Sequence, residues 1–286
     1  MNPTIRACVW MIGAIVSFTS MAVAGRAVAI ELDTFELMMY RSFIGIGLVL
    51  GIGGLTGALR EISTRHMSMH AIRNVSHFAG QNLWFYAITV LPLAQVFALE
   101  FTMPLWVLLI SPFILHERLT RYRVLAALSG FVGVLIVARP VAGALDPNLL
   151  YAAGAAIGFA GSVVYTRKLT RTETTTCVLF WLVVFQAALG VVCAGYDGQI
   201  ALPTVRVLPW VVVVSCAGLL AHFCLTKALS IAPATVVIPV DFTRLPVIVV
   251  VGAVVYSEAV DPMVLLGAAV IFAGNYLNIW HETRKT

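Results

Sequence analysis

The sequence predicts an all-α integral membrane protein of ten transmembrane helices, built as two inverted five-helix repeats. Three observations carry this expectation. Of 286 residues, 60% are hydrophobic and only 11% are charged, against about 25% charged in a soluble domain. The apolar residues gather in ten runs of near-spanning length. The chain also matches itself at one fixed offset of 141 residues.

Mean hydropathy is +0.97. A globule of this size exposes too much surface for so few polar residues to cover, so the solvent that fits is a bilayer. The runs fall near 7–29, 37–57, 73–91, 93–115, 123–139, 148–166, 176–196, 208–229, 233–256 and 262–280. A spanning helix needs about 17–25 residues, and lipid forces the backbone to satisfy itself within each helix. Proline punctuates the breaks at Leu91-Pro92, Arg139-Pro140, Asp146-Pro147 and Ala232-Pro233, where it stops or starts helices. The first run, after Arg6 and ending in Ala22-Val23-Ala24, has the look of a signal peptide; the repeat requires it as a helix.

Net charge is +5. The basic residues sit in short loops without interleaved aromatics, which argues against nucleic-acid binding. Arg6, Arg60, Arg65, Arg73, Arg118, Arg121, Arg123, Arg167, Lys168, Arg171, Arg284 and Lys285 fall on one side; Arg139 and Arg206 fall on the other. The positive-inside rule then puts both termini in the cytoplasm, in a plasma (inner) membrane. Cys8, Cys177, Cys193, Cys216 and Cys224 are odd in number and contain no C-x-x-C. Neither a disulfide framework nor a zinc site is indicated by that spacing.

At the 141-residue offset Gly13-Ala14 matches Gly154-Ala155, Phe18 matches Phe159, and Arg26 matches Arg167. Ala87, Pro92 and Glu100-Phe101-Thr102 match Ala228, Pro233 and Asp241-Phe242-Thr243; Glu117, Phe131 and Gly133 match Glu258, Phe272 and Gly274. Each half, 1–140 and 147–286, holds five helices. Five is odd, so the second half lies upside down relative to the first. The loops agree: His116–Thr120 and Arg121 form a basic stretch, whereas the matching 257–262 has no basic residue. Inverted repeats of this kind recur in secondary transporters, with the site near the midplane between the halves.

The stretch from Tyr86 to Pro140, YAITVLPLAQVFALEFTMPLWVLLISPFILHERLTRYRVLAALSGFVGVLIVARP, has its plan repeated from Ala228 to Trp280. Both resemble the second part of an EamA domain of the drug/metabolite transporter superfamily. The Pro-containing turn (Pro92, Pro233), the Glu after the following helix (Glu117, Glu258) and the Gly-rich last helix carry the likeness, and Arg41-Ser42-Phe43 is similar to the family's second-helix start. The resemblance covers nearly the whole chain as two tandem domains. It implies ten helices and export or exchange of small solutes across the plasma membrane, without naming a substrate.

Ionisable residues inside the membrane are costly and are functional candidates by default. Glu100 and its mate Asp241 are a pseudo-symmetric carboxylate pair suited to carrying protons or binding a cationic group. Asp241 and Arg244, three apart, alternatively pair with each other. Arg244 and Arg41 are partners for these acids or for a solute carboxylate, although Arg41 can instead snorkel to the interface. His77, Gln81 and Asn82 make the third helix polar, and Gln81 matches His222; these either line a pore or bond between helices. Trp10, Trp84 and Phe159 are candidate cavity walls, with packing as the plain alternative. Gly47/Gly51 and Gly154/Gly158 have the spacing that lets helices approach closely. No Walker A, H-E-x-x-H or G-x-S-x-G motif occurs, so neither ATP drive nor those enzyme classes is indicated. The expected function is therefore secondary transport of a small-molecule solute within the lipid bilayer, with no cofactor, metal or catalytic residue. A sensory or structural membrane subunit and a membrane-embedded enzyme are the competing classes.

Overall fold

The computed structural model describes residues 2–91, 93–117, 119–138, 147–196, 198–257 and 262–283. Pro92, Arg118, the 139–146 connection with Arg139 and Pro140, the 258–261 segment with Glu258, and Arg284 and Lys285 lie outside the described residues. No strand occurs among those described.

The first repeat comprises α1 (Pro3–Val28), α2 (Thr34–Thr56), α3 (Met67–Val90), α4 (Leu93–Glu100), α5 (Met103–Ile114) and α6 (Arg121–Ala138). The second comprises α7 (Leu149–Leu169), α8 (Thr175–Ala194), α9 (Leu208–Ile231), α10 (Ala234–Val240), α11 (Arg244–Tyr256) and α12 (Pro262–Thr283). These twelve segments make ten spans, because α4/α5 and α10/α11 each form one broken span. Helices α1, α2, α7, α8 and α9 are long and apolar enough to cross a membrane on length and composition.

Local chemistry sets the ends. Asn2 accepts from the Thr4 amide at 2.8 Å with Pro3 in the first turn. Asp33 and Glu36 form a reciprocal capping box that starts α2, three residues before its apolar run begins. Gly57, at φ 72°, closes α2 in the left-handed region that glycine tolerates.

The fourth and ninth spans, expected as continuous helices, are broken at matching positions. Pro104 has no N–H to bond the Glu100 carbonyl, and Pro246 has none for the Phe242 carbonyl. Thr102 Oγ1 instead donates to the Leu99 carbonyl at 2.7 Å, and Thr243 Oγ1 donates to the Val240 carbonyl at 2.9 Å. Donors and acceptors are both repeat mates.

The packing shows the inverted symmetry directly. The most extensive helix interfaces are α1 with α9, α3 with α7, α2 with α8 and α6 with α12. Exchanging the repeats turns the first pair into the second and maps the other two onto themselves. Every one of these interfaces joins one half to the other. Small residues permit the contact: a Cβ on Gly158 would lie 2.8 Å from the Gly80 backbone, so α7 and α3 touch main chain to main chain. Gly47 and Gly51 differ, since a Cβ on either meets nothing within 4 Å. Their spacing serves no packing within the monomer.

The bundle is apolar outside and polar inside. Along α1 the residues Ile5, Val9, Ile12 and Val16 form an exposed stripe at helical spacing. His70, Arg73, Asn74, His77, Gln81 and Trp84 form a buried one along α3. That inversion of a soluble protein's pattern is what lipid requires, and the chain is a multi-pass membrane protein.

Candidate functional site

The two helix breaks face each other in the middle of the bundle. Glu100 is the last residue of α4, Asp241 opens the turn after α10, and Arg244 begins α11. Glu100 is 4% exposed. Its Oε2 accepts from Trp84 Nε1 at 2.6 Å, and its Oε1 accepts from Arg244 Nη2. The same Nη2 donates to Asp241 Oδ2 at 2.8 Å. Arg244 thus pairs with Asp241 on its own span and also bridges to Glu100 of the other repeat. Its guanidinium carbon lies 5.1, 5.0 and 5.4 Å from the ring centres of Phe18, Phe97 and Phe101, a cation held against three aromatic faces. Two carboxylates and one guanidinium leave the triad one negative charge in excess unless a proton or a cationic group joins it.

Next to the triad, His77 of α3 and His222 of α9 meet edge to face with centroids 4.6 Å apart. Phe159 tilts against His77 at 6.0 Å, and its repeat mate Phe18 sits edge-on to His222 at 5.5 Å. Together with Gln81, Trp84 and the triad these side chains line a central cavity of about 50 Å³. A water needs roughly 10–15 Å³ on this measure, so the cavity has room for a few waters. Pockets for organic ligands run to about 300–1,000 Å³, so the cavity as it stands is smaller than an organic solute requires. His77 Nε2, Gln81 Nε2, His222 Nε2 and Asp241 Oδ1 are buried without a hydrogen-bond partner in the protein. Four such groups around one cavity depart from the rule that buried polar atoms are satisfied, and all four can hydrogen-bond to whatever fills the cavity.

Arg73 also lines this cavity. Assigned from the sequence to a basic loop, it lies instead in the second turn of α3 and is 1% exposed. The helix begins at Met67, earlier than the apolar run, because its inward face is polar from the start. Arg73 Nε donates to Thr166 Oγ1 at 3.0 Å and Nη1 donates to Asn74 Oδ1 at 2.8 Å. Among the described residues no carboxylate pairs with it. The periodic row His70, Arg73, His77, Gln81, Trp84 was the signal available in the sequence.

The remaining sequence candidates lie elsewhere. Arg41 does not snorkel outward; it is buried, with Nη1 3.8 Å from Met21 Sδ and 3.7 Å from Met38 Sδ. It lines a smaller crevice beside His222 and Ser42 rather than the central cavity. Trp10 packs edge-on to Phe223 at 5.6 Å and is not part of the cavity wall.

Two further contacts tie the ends of the bundle. Arg26 donates to the carbonyls of Ile88 and Leu91 at 3.1 and 3.2 Å. Its mate Arg167 donates to the carbonyl of Leu229, the mate of Ile88, and forms a 3.5 Å ion pair with Glu117. Equivalent arginines therefore strap the C-terminal ends of α3 and α9 at opposite ends of the bundle.

Comparison with known proteins agrees with this architecture. The model of the EamA-like transporter family matches residues 5–139 and again 147–280. A riboflavin transporter of Brucella anthropi is 32% identical over 220 residues, covering 76% of this chain and 78% of that protein. An S-adenosylmethionine uptake transporter of Rickettsia bellii is 26% identical over 275 residues, covering 96% and 94%. A solved crystal structure superposes with a TM-score of 0.79 at 20% identity, over 97% of this chain and 98% of the other, and shows the same fold. With two family units in tandem and a polar cavity where their broken helices meet, the chain belongs to the EamA-like transporter family of the drug/metabolite transporter superfamily and is a membrane transporter of small solutes rather than an enzyme.

Proposed function

We propose that the chain is a secondary carrier that moves a zwitterionic small metabolite bearing an aromatic ring, by alternating access between its halves, 1–140 and 147–286. The observation that carries this reading is the pair of broken helices joined through Glu100, Arg244 and Asp241. Discontinuous helices at the repeat interface recur as substrate and coupling sites in carriers. The excess negative charge of the triad suits a cationic group or a coupling proton. Arg73, a buried cation with no acid partner among the described residues, suits a carboxylate, because an uncompensated buried charge is costly until something pairs with it. Between the two poles, Phe18, Phe159 and Trp84 offer ring faces to a heterocycle.

S-adenosylmethionine, named for the Rickettsia bellii relative, carries a sulfonium, an ammonium, a carboxylate and an adenine. Riboflavin, named for the Brucella anthropi relative, carries a ring system without either charge. Exchange or export, proposed from the family resemblance, and uptake are one cycle run under opposite gradients. Both termini are proposed to be cytoplasmic, in the plasma membrane, on the strength of the basic loops.

The test is counterflow in proteoliposomes with radiolabelled S-adenosylmethionine and riboflavin, run beside Glu100→Gln and Asp241→Asn. Counterflow of S-adenosylmethionine that both substitutions abolish supports the reading. Counterflow of riboflavin alone overturns the zwitterion and leaves the carrier. Transport of either solute that persists with the two halves crosslinked at both ends overturns alternating access.

A further inference from the structure

A second polar cluster lies away from the cavity, at the end of the bundle where α1 begins. His70 in the first turn of α3, Glu173 in the turn between α7 and α8, and Cys177 in the first turn of α8 each bring one ligand atom within 4.8 Å of the other two. His70 is 0% exposed, and neither of its ring nitrogens has a hydrogen-bond partner. A fully buried imidazole with both nitrogens unanswered is rare and costly, and nothing in the transport reading uses it. Its ring is held by the tilted face of Trp181 at 6.1 Å, and its backbone is pinned by Asn74 Nδ2 donating to its carbonyl at 2.8 Å. Cys177 Sγ is buried 3.4 Å from the Ser63 amide and 3.5 Å from the Ser63 carbonyl.

We propose that His70, Glu173 and Cys177 form a zinc-class divalent metal site that clips the first repeat to the second. One imidazole, one thiolate and one carboxylate are borderline-soft donors; they suit Zn²⁺ and do not suit Mg²⁺ or Ca²⁺, which take oxygen ligands. Tetrahedral bonds of about 2.0–2.3 Å put the ligand atoms roughly 3.3–3.6 Å apart. The cluster, within 4.8 Å, closes with a shift of about 1 Å, for which half-buried Glu173 has the freedom. The charges balance: Cys177 releases its proton to solvent on binding, and thiolate plus carboxylate neutralise the dication beside buried Arg73. A fourth position remains for water. The ligands are far apart in the chain apart from Glu173 and Cys177 at i, i+4, which is why cysteine spacing gave no sign of them. Because His70 belongs to one half and Glu173 and Cys177 to the other, a bound ion resists their separation at this end.

The test uses the full-length protein in detergent, free of any metal-binding tag, titrated with Co²⁺ as a spectroscopic stand-in for zinc. The expected result is about one cobalt per chain with a near-ultraviolet thiolate-to-metal charge-transfer band. Cys177→Ser removes the band, and His70→Ala and Glu173→Gln weaken binding roughly ten-fold or more. Zinc raises the Tm of the parent protein and leaves that of Cys177→Ser unchanged. Should His70→Ala fail to fold, the nearly isosteric Cys177→Ser and Glu173→Gln carry the test. Absence of the band, or cobalt binding that Cys177→Ser and Glu173→Gln leave unaltered, overturns the proposal.

Discussion

Replacing Arg244 by methionine tests what holds the two broken helices together. The guanidinium pairs with both Glu100 and Asp241, and all three side chains are buried. Removing it strands two carboxylates. Breaking a buried pair in this way costs about 3–5 kcal/mol, whereas replacing every charged member with neutral groups of similar shape is often close to neutral. Methionine keeps an apolar chain against Phe18, Phe97 and Phe101, so the measured loss isolates charge from packing. With about 2–4 °C of melting temperature per kcal/mol, Arg244→Met lowers Tm on the order of 10 °C. The triple variant with Glu100→Gln and Asp241→Asn added recovers more than half of that loss, because no stranded charge remains. Thermal unfolding in detergent, followed by tryptophan fluorescence, reads both. Transport is lost in both. If the triple variant is as unstable as Arg244→Met alone, ion pairing does not hold the crossing, and the argument from charge fails.

Three further outcomes follow from the geometry. Gly158→Ala places a methyl 2.8 Å from the Gly80 backbone and costs about 1–3 kcal/mol by overpacking, whereas Gly47→Ala, with open space around it, is neutral or slightly stabilising by helix propensity; equal Tm values for the two would contradict the packing described. Trp84→Phe removes the donor to Glu100 and costs about 1.5–3 kcal/mol, the worth of a hydrogen bond to a charged group, read by the same unfolding assay. Glu117→Gln weakens the strap on Arg167 and raises the rate at which a maleimide labels a cysteine placed at Thr226 in the cavity wall; an unchanged rate would show that this ion pair does not limit access to the cavity.

Much of the fold was legible because the duplication is written in the sequence. The 141-residue register located the acid pair, the arginines at Arg26 and Arg167 and the aromatic pair Phe18 and Phe159: both acids accept from Arg244, both arginines donate to carbonyls near the end of α3 or α9, and both rings meet a cavity histidine. The helix breaks were not read, because the runs around Glu100 and Asp241 stay apolar and hydropathy does not register a missing N–H. Pro104 and Pro246 carried that information, one turn after the positions they disrupt. Arg73 was hidden for a related reason: an apolar-run boundary marks where a helix becomes greasy on all sides, and α3 enters the bundle with its polar face already turned inward.

The departures from symmetry carry the remaining meaning. Arg73 matches Val214, His77 matches Gly218, Trp84 matches Leu225 and Met103 matches Arg244. The alternating access we propose needs end states of similar energy, which a frame of repeated parts would supply: threonines at matched breaks, arginines strapping matched carbonyls, small residues at matched crossings. A solute has no such symmetry. The side chains that face it need not match throughout: of those lining the cavity, Phe18 matches Phe159 and acidic Glu100 matches acidic Asp241, whereas Arg73, His77, Trp84 and Arg244 have no like mate. The unmatched residues Arg73, His77, Trp84 and Arg244 are therefore where we propose that exchanging side chains with a relative exchanges the solute carried.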